Sequence, residues 1–181
     1  MAASTAGAPG ALVFANLGLV SMGLEDYPRA IEEYTAIGAL EVDGLVNRGL
    51  AYDRLGEVDL ARADYRAALA TAPDDVAALI NLGTLEFAEG AVEVAQELLE
   101  RASALDPQAG WQLSDVLRHD GDLDAAAEAL QAAIRAGEPR AYLDLADVEE
   151  ERGNSEASRA AYDAAAAAGL VDETDDSHGV R

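Results

Sequence analysis

The sequence predicts an all-α fold, a right-handed superhelical solenoid of about five antiparallel helix pairs. Apolar residues recur at intervals of three and four throughout the chain, which is the spacing of one helix face. The pattern is interrupted by short turn signals, and it then repeats: Gly18, Gly49 and Gly83 are separated by 31 and 34 residues. A period in this range is typical of an array of repeats.

The clearest copy of the repeat is residues 45–73, LVNRGLAYDRLGEVDLARADYRAALATAP. Gly49 has no side chain, so a second helix can approach the first one closely, and Gly56 suits a left-handed helix end. Tyr65 is large enough to fill a gap between the two helices. Pro73 ends the second helix because proline cannot continue a helical hydrogen-bond ladder. This copy therefore reads as two short helices joined by a tight turn.

Five copies are predicted, and two of them depart from the pattern. The fourth has Gly110 where a bulky residue is expected, with Trp111 one place later, and the fifth has Ser158 in place of a small Ala. The register of these two copies is therefore left open by one residue. The predicted boundaries of the solenoid, residues 11–169, are 11–41, 42–75, 76–106, 107–138 and 139–169.

Several short motifs stand out along the chain. Asn-Leu-Gly occurs at 16–18 and 81–83, Ala-Ile-Glu-Glu-Tyr at 30–34, and an Asp-Pro stop at 106–107. These motifs resemble those of the tetratricopeptide repeat. The resemblance covers roughly residues 11–169, and it implies a stack of helix pairs with a concave groove. It implies protein binding without specifying a partner, because one fold hosts many unrelated binding roles.

Helix ends follow from the turn and capping residues. The predicted N-caps are Asp74 and Asp75 before the fifth helix, Asp122, and one of Asn154 and Ser155, because their side chains accept hydrogen bonds from free helical N–H groups. Residues 1–10 and the acidic tail 170–181 are predicted to be disordered. The predicted helices are 11–22, 27–37, 43–55, 58–71, 75–88, 91–104, 108–119, 123–136, 139–152 and 155–168.

Composition restricts the class of partner. The chain has 181 residues and a net charge of −23, from 35 acidic and 12 basic residues, and every basic residue is Arg. Nucleic acids and anionic membranes would repel such a chain, so neither is an expected partner. No stretch is apolar for long enough to span a membrane, and the N-terminus lacks the basic region of a signal peptide. We expect one cytoplasmic domain.

The sequence carries no recognisable catalytic, cofactor or metal motif. There is no Cys, and the two histidines, His119 and His178, have no nucleophile at a known motif spacing. The run from Asp120 to Asp124 is similar to the start of a calcium loop. However, Ala125 stands where that loop needs Gly, and Gln131 stands where it needs Glu. We therefore expect a protein that is not an enzyme and that binds no cofactor.

The candidate site is the groove that the first helix of each pair would line. A row of polar side chains, Asn16, Asn47, Asn81, Gln112 and Asp144, recurs there, and an amide can both donate to and accept from a peptide backbone. The alternative is that this row only supports helix packing. The predicted groove residues are Asn16, Leu19, Val46, Asn47, Leu50, Arg54, Ile80, Asn81, Thr84, Phe87, Trp111, Gln112, Asp115, Arg118 and Asp144.

These observations predict a protein-interaction scaffold or adaptor that holds an extended partner segment. The partner segment should be neutral or basic because of the net charge of −23, and the acidic fifth copy should favour basic residues at one end of it. One alternative is an oligomerisation module that uses the C-terminal end, where the last helix carries a run of Ala at 164–168. A second alternative is a dedicated chaperone for one client protein.

Overall fold

The computed structural model describes residues 9–170, and every regular element in that range is a helix. Ten α-helices and one 3₁₀ helix (Pro107–Ala109) are present in this part of the chain. The α-helices are α1 (Pro9–Gly23), α2 (Tyr27–Ala36), α3 (Val42–Arg54), α4 (Val58–Thr71), α5 (Val76–Ala88), α6 (Val92–Leu105), α7 (Gly110–Asp120), α8 (Leu123–Arg135), α9 (Ala141–Glu151) and α10 (Ser155–Ala167).

Most helix ends lie within one or two residues of the prediction. Helix α1 begins at Pro9, and the rest of the predicted N-terminal disorder, like that predicted for 171–181, lies outside the described residues. Helix α9 begins at Ala141, two residues later than predicted, because Pro139 and Arg140 form a turn. The Glu138 carboxylate accepts a hydrogen bond from the Arg140 N–H at 3.0 Å, which holds this turn.

Two of the predicted N-caps are confirmed. Asp75 accepts from the Ala78 N–H at 2.8 Å, and Asp122 accepts from the Ala125 N–H at 3.0 Å. Asn154 occupies the N-cap position of α10, but its amide donates to Glu149 instead, at 2.8 Å. The Asn154 side chain therefore does not cap α10 and instead forms a hydrogen bond to the preceding helix, α9.

The chain divides into an N-terminal unit, residues 1–89, and a C-terminal unit, residues 90–181. In the N-terminal unit, each helix from α1 to α5 packs against the next one in sequence, and α3 also contacts both α1 and α5. In the C-terminal unit, α6 to α10 follow the same scheme, and α7 contacts α9. In both units, the first helices of successive pairs are therefore neighbours.

In the N-terminal unit, a tyrosine ring of the second helix packs on a glycine of the first helix in each of two helix pairs. Tyr34 and Tyr65 are both fully buried. A Cβ atom added to Gly18 would lie 2.7 Å from the Tyr34 ring, and one added to Gly49 would lie 2.7 Å from the Tyr65 ring. The predicted close approach at Gly49 is therefore confirmed. The left-handed backbone predicted for Gly56 is also confirmed, with φ of +76°.

Ion pairs support this packing in the N-terminal unit. The Arg48 guanidinium on α3 donates two hydrogen bonds of 2.7 Å to the buried Asp64 carboxylate on α4. Arg62 on α4 donates to Glu86 on α5 at 2.9 Å. Each buried carboxylate thus has a charged partner, which offsets the cost of removing it from water. None of the helices between residues 9 and 170 is both long and apolar enough to cross a membrane.

Candidate functional site

A cleft of about 480 Å³ opens in the N-terminal unit between α1, the segment that follows α2, and α3. Helix α1 supplies one wall and α3 the other, while the connection between α2 and α3 closes one side. The residues that line it are Ala11, Leu12, Ala15, Leu19, Tyr34, Ile37, Ala39, Leu40, Glu41, Asp43, Gly44 and Asn47.

The lining is mostly apolar, with polar groups at defined places. Leu12 and Leu19 project from α1 and remain exposed, so a ligand would remove them from water. Glu41 and Asp43 are exposed carboxylates on the α3 side. Asn47 is the one amide among the lining residues. The cleft thus combines an apolar wall, a negative edge and a single group that can both donate and accept.

Asn47 also interacts with the scaffold. Burial raises the pKa of the Tyr34 phenol, and the adjacent Asn47 amide acts in the opposite direction. The Tyr34 ring lies below the cleft and on Gly18. One side of Asn47 therefore faces a core residue while the side chain as a whole stays half-buried at the cleft. Packing support and ligand contact are compatible roles for this residue.

The other predicted groove residues of the N-terminal unit lie outside this cleft. Val46 is buried in a cluster with Ala68 and Ala78, so it contributes to the core. Asn16 is exposed on α1 and is not among the lining residues. The half-buried residues are Leu50, Ile80, Asn81 and Phe87, and the exposed ones are Arg54 and Thr84.

The predicted residues of the C-terminal unit meet on α7 and α9. The Trp111 indole N–H donates a hydrogen bond to the Asp144 carboxylate. The Arg140 guanidinium lies 5.4 Å from the centroid of the Trp111 ring, within the range of a cation–π contact. The indole is therefore fixed by two groups, and its orientation does not depend on a ligand.

A charged neighbourhood surrounds this tryptophan. Arg118 donates to Glu151 at 2.5 Å. Burial raises the pKa of the Asp115 carboxyl and Asp144 raises it further, while Arg118 acts against both effects. The side-chain amide oxygen of Gln112 is buried and has no hydrogen-bond partner among the described residues. These predicted residues do lie close together, but their charges already interact with one another.

The predicted groove list contains only Leu19 and Asn47 of the residues that line the N-terminal cleft, and those it missed include Tyr34, Ile37, Leu40 and Gly44. The prediction considered only the outward face of first helices. Tyr34 and Ile37 belong to the second helix of the pair or its end, and Leu40 precedes α3. The apolar residues at the end of α2 and in the connection to α3 could have indicated this cleft. A connecting segment that carries Ile and Leu usually packs against a neighbouring helix.

Within the described residues, no group of three or more His, Asp or Glu side chains is arranged to hold a metal ion. The Asp122 carboxylate of the run that is similar to a calcium loop caps α8. Asp124 accepts from Arg152 at 2.6 Å. These acidic side chains therefore have structural partners.

Asp115→Asn should raise the melting temperature at pH 7. The folded state raises the pKa of Asp115, so the ionised carboxylate destabilises the fold at pH values above that raised pKa. The penalty disappears as the pH falls below the unfolded value, so the gain should shrink toward pH 4. Solvent screening limits it to a few tenths of a kcal/mol.

Thermal unfolding at pH 7 and pH 4 measures this difference. Glu128→Gln is the control, because it removes the same charge from another exposed position, on the neighbouring helix α8. An Asp115→Asn gain that equals the control, or that persists at pH 4, would contradict the prediction.

The fold and the repeated helix pairs define a class of helical-repeat protein. The sequence pattern described as "Tetratricopeptide repeat" matches residues 46–110 and 112–170. The chain therefore belongs to the tetratricopeptide repeat family, and the predicted fold class, an all-α solenoid of this type, is confirmed. No curated protein sequence matches the chain.

Solved structures of MamA share this fold. The structure described as "MamA RS-1 ArsTM double mutant" superimposes with a TM-score of 0.74 at 18% identity, over 90% of this chain and 96% of that chain. A crystal structure of MamA gives 0.70 at 23% identity, over 83% and 92% respectively. "MamA AMB-1 P212121" gives 0.67 at 20% identity, over 94% and 98%. At these identities the likeness establishes the fold alone.

Proposed function

We propose that this protein is a non-enzymatic interaction scaffold that binds an extended segment of another protein. The observation that carries the proposal is the cleft between α1 and α3, with its exposed leucines and its one amide. Proteins of the tetratricopeptide repeat family bind other proteins, so a cleft on the first helices of the pairs is the natural place for a ligand.

The chemistry of the cleft suggests what the segment contains. Apolar side chains of the partner would cover Leu12 and Leu19, because burial of aliphatic surface is worth about 25 cal/mol per Å². The Asn47 amide would pair with the partner's backbone. A basic residue next to the apolar ones would meet Glu41 and Asp43, which would speed association and weaken in high salt. The neutral or basic segment expected from composition fits this cleft.

The C-terminal unit offers a separate contact face. Asp147 and Glu150 on α9 are exposed beside the Trp111–Asp144 pair. These acidic groups would favour basic residues of a partner, as would the overall charge of −23. We also propose a cytoplasmic location, which is the one expected from the sequence. We assign no catalytic role to any residue, since the family consists generally of scaffolds.

Leu19→Arg should abolish partner capture, and Asn47→Ala should weaken it about two- to tenfold. The arginine places a charge on the apolar wall, whereas the alanine removes one hydrogen bond worth about 0.5–1.5 kcal/mol. The measurement is affinity capture from native lysate, followed by titration calorimetry with a synthetic peptide from the captured protein.

Leu60→Arg is the matched control, because Leu60 is a similarly exposed leucine on α4 that does not line the cleft. If Leu19→Arg and Leu60→Arg retain the same partner equally, the cleft is not the binding site. The double variant Asn47→Ala, Asn81→Ala tests the wider amide row, because Asn81 lies outside the cleft. Capture of one client alone, in its unfolded form, would identify the narrower role of a dedicated chaperone.

A further inference from the structure

Helix α1 exposes a second apolar face that does not line the cleft. Val13, Leu17, Val20 and Leu24 are 56%, 38%, 58% and 74% exposed. They follow one another at intervals of four, three and four residues, so they lie on one side of the helix. Leu24 continues the helix, because its N–H bonds to the Val20 carbonyl oxygen at 3.0 Å. We call these four residues the α1 seam.

The spacing of the α1 seam is that of the contact positions in paired helices. Apolar residues that alternate at three and four form the seam of a coiled coil, in which each side chain inserts between residues of a facing helix. Leu12 and Leu19 lie on the cleft side of the same helix. Helix α1 is thus apolar on nearly all sides, which is typical of a helix that is covered all round.

Charge identifies the occupant. The chain carries a net charge of −23, yet helix α1 has no Asp, Glu, Lys or Arg. Two copies of such an acidic chain repel one another over most of their surface. Between Pro9 and Leu24 they can approach without placing carboxylates opposite carboxylates, because the exposed Glu25 and Asp26 come only after the last residue of the α1 seam. The same stripe on both copies is self-complementary, as a two-fold contact requires. We propose that the α1 seam binds the α1 seam of a second copy of this chain.

Helix α10 is a poorer candidate for self-association. Its exposed residues include Glu156, Arg159 and Asp163 among the alanines. Burial of that face would desolvate these charges, and alanine side chains return little hydrophobic free energy. The predicted contact through the Ala run at the C-terminal end therefore has less support than the α1 seam. The proposal concerns assembly and is separate from the cleft, which faces another side of α1.

Light scattering over a concentration series tests this contact with the full chain. We expect wild type to shift from monomer to dimer as concentration rises, and Val20→Glu to weaken the dimer at least about tenfold. Val94→Glu is the matched control, because Val94 is an exposed valine on α6, 46% exposed, and the substitution adds the same charge. It should dimerise like wild type. Circular dichroism checks that both variants keep their helices.

Cross-linking gives a second, independent readout. The chain has no Cys, so one engineered thiol reports one contact. Val20→Cys should form a disulfide-linked dimer under mild oxidation, and Ala160→Cys on α10 should not. Higher salt should strengthen the dimer because it screens the repulsion between acidic copies. In contrast, it should weaken the binding of a basic peptide to the cleft.

Three results would overturn the proposal. They are a wild-type monomer at all concentrations, a dimer that Val20→Glu leaves intact, and cross-linking at Ala160→Cys in place of Val20→Cys. Partner capture by Val20→Glu should equal that of wild type, so failure of the α1 seam is distinguishable from failure of the cleft.

Discussion

Replacement of Tyr65 by Ala should lower the free energy of unfolding by about 3–5 kcal/mol, the usual cost of truncating a buried aromatic side chain. The ring is fully buried and lies on the face of α3 that Gly49 leaves open. Without the ring, Gly49 and the missing side chain would leave a cavity between α3 and α4. The helices cannot easily close it, because the Arg48–Asp64 ion pair fixes their separation.

Tyr65→Phe is the matched variant. The Tyr65 hydroxyl is buried and has no hydrogen-bond partner among the described residues. Removal of an unsatisfied hydroxyl leaves the packing intact and relieves a desolvation cost. We therefore expect Phe to change stability by less than about 1 kcal/mol, in the stabilising direction. Urea denaturation followed by circular dichroism measures both variants, and a Tyr65→Ala loss of less than about 1 kcal/mol would refute the packing argument.

The Gly49–Tyr65 pair also shows why the fold was predictable. A glycine in the first helix and a large ring sixteen residues later form a local relation, and the relation recurs at Gly18 and Tyr34. Helical periodicity and turn glycines are likewise local, so most helix ends followed from them. Helix α9 starts two residues later than predicted, because the Glu138 carboxylate accepts a hydrogen bond from the Arg140 N–H and holds a turn there. The sequence does not distinguish such a turn from a helix that has proline in its first turn.

The candidate site was predictable only in part, for a related reason. Leu19 and Asn47 follow from helix faces, and both line the cleft. The floor of the cleft depends on Tyr34 and Leu40, which belong to other segments. The hydrogen bond between Trp111 and Asp144 joins residues 33 positions apart, one repeat interval. Periodicity placed both residues on the same face, but it could not show that they satisfy one another.

Gly110 is the residue that departs most clearly from the repeat pattern, and the structure gives it a role. A bulky side chain was expected at this place. Instead Gly110 is buried, and a Cβ atom added there would lie 2.5 Å from the Ala129 carbonyl oxygen on α8. The obstacle is backbone inside a helix, so it cannot turn aside as a side chain can. The glycine therefore permits a close approach of α7 and α8.

Gly110→Ala should consequently destabilise the protein by about 1–3 kcal/mol, the usual cost of overpacking, although alanine is the better helix former. Gly23→Ala is the control, because a Cβ atom there meets nothing within 4 Å. Alanine at position 23 should cost nothing, since it only restricts the unfolded chain. Urea denaturation compares the two variants. Equal stability of both would mean that α7 and α8 can separate freely, whereas a loss confined to Gly110→Ala would establish their close approach as the reason for this glycine.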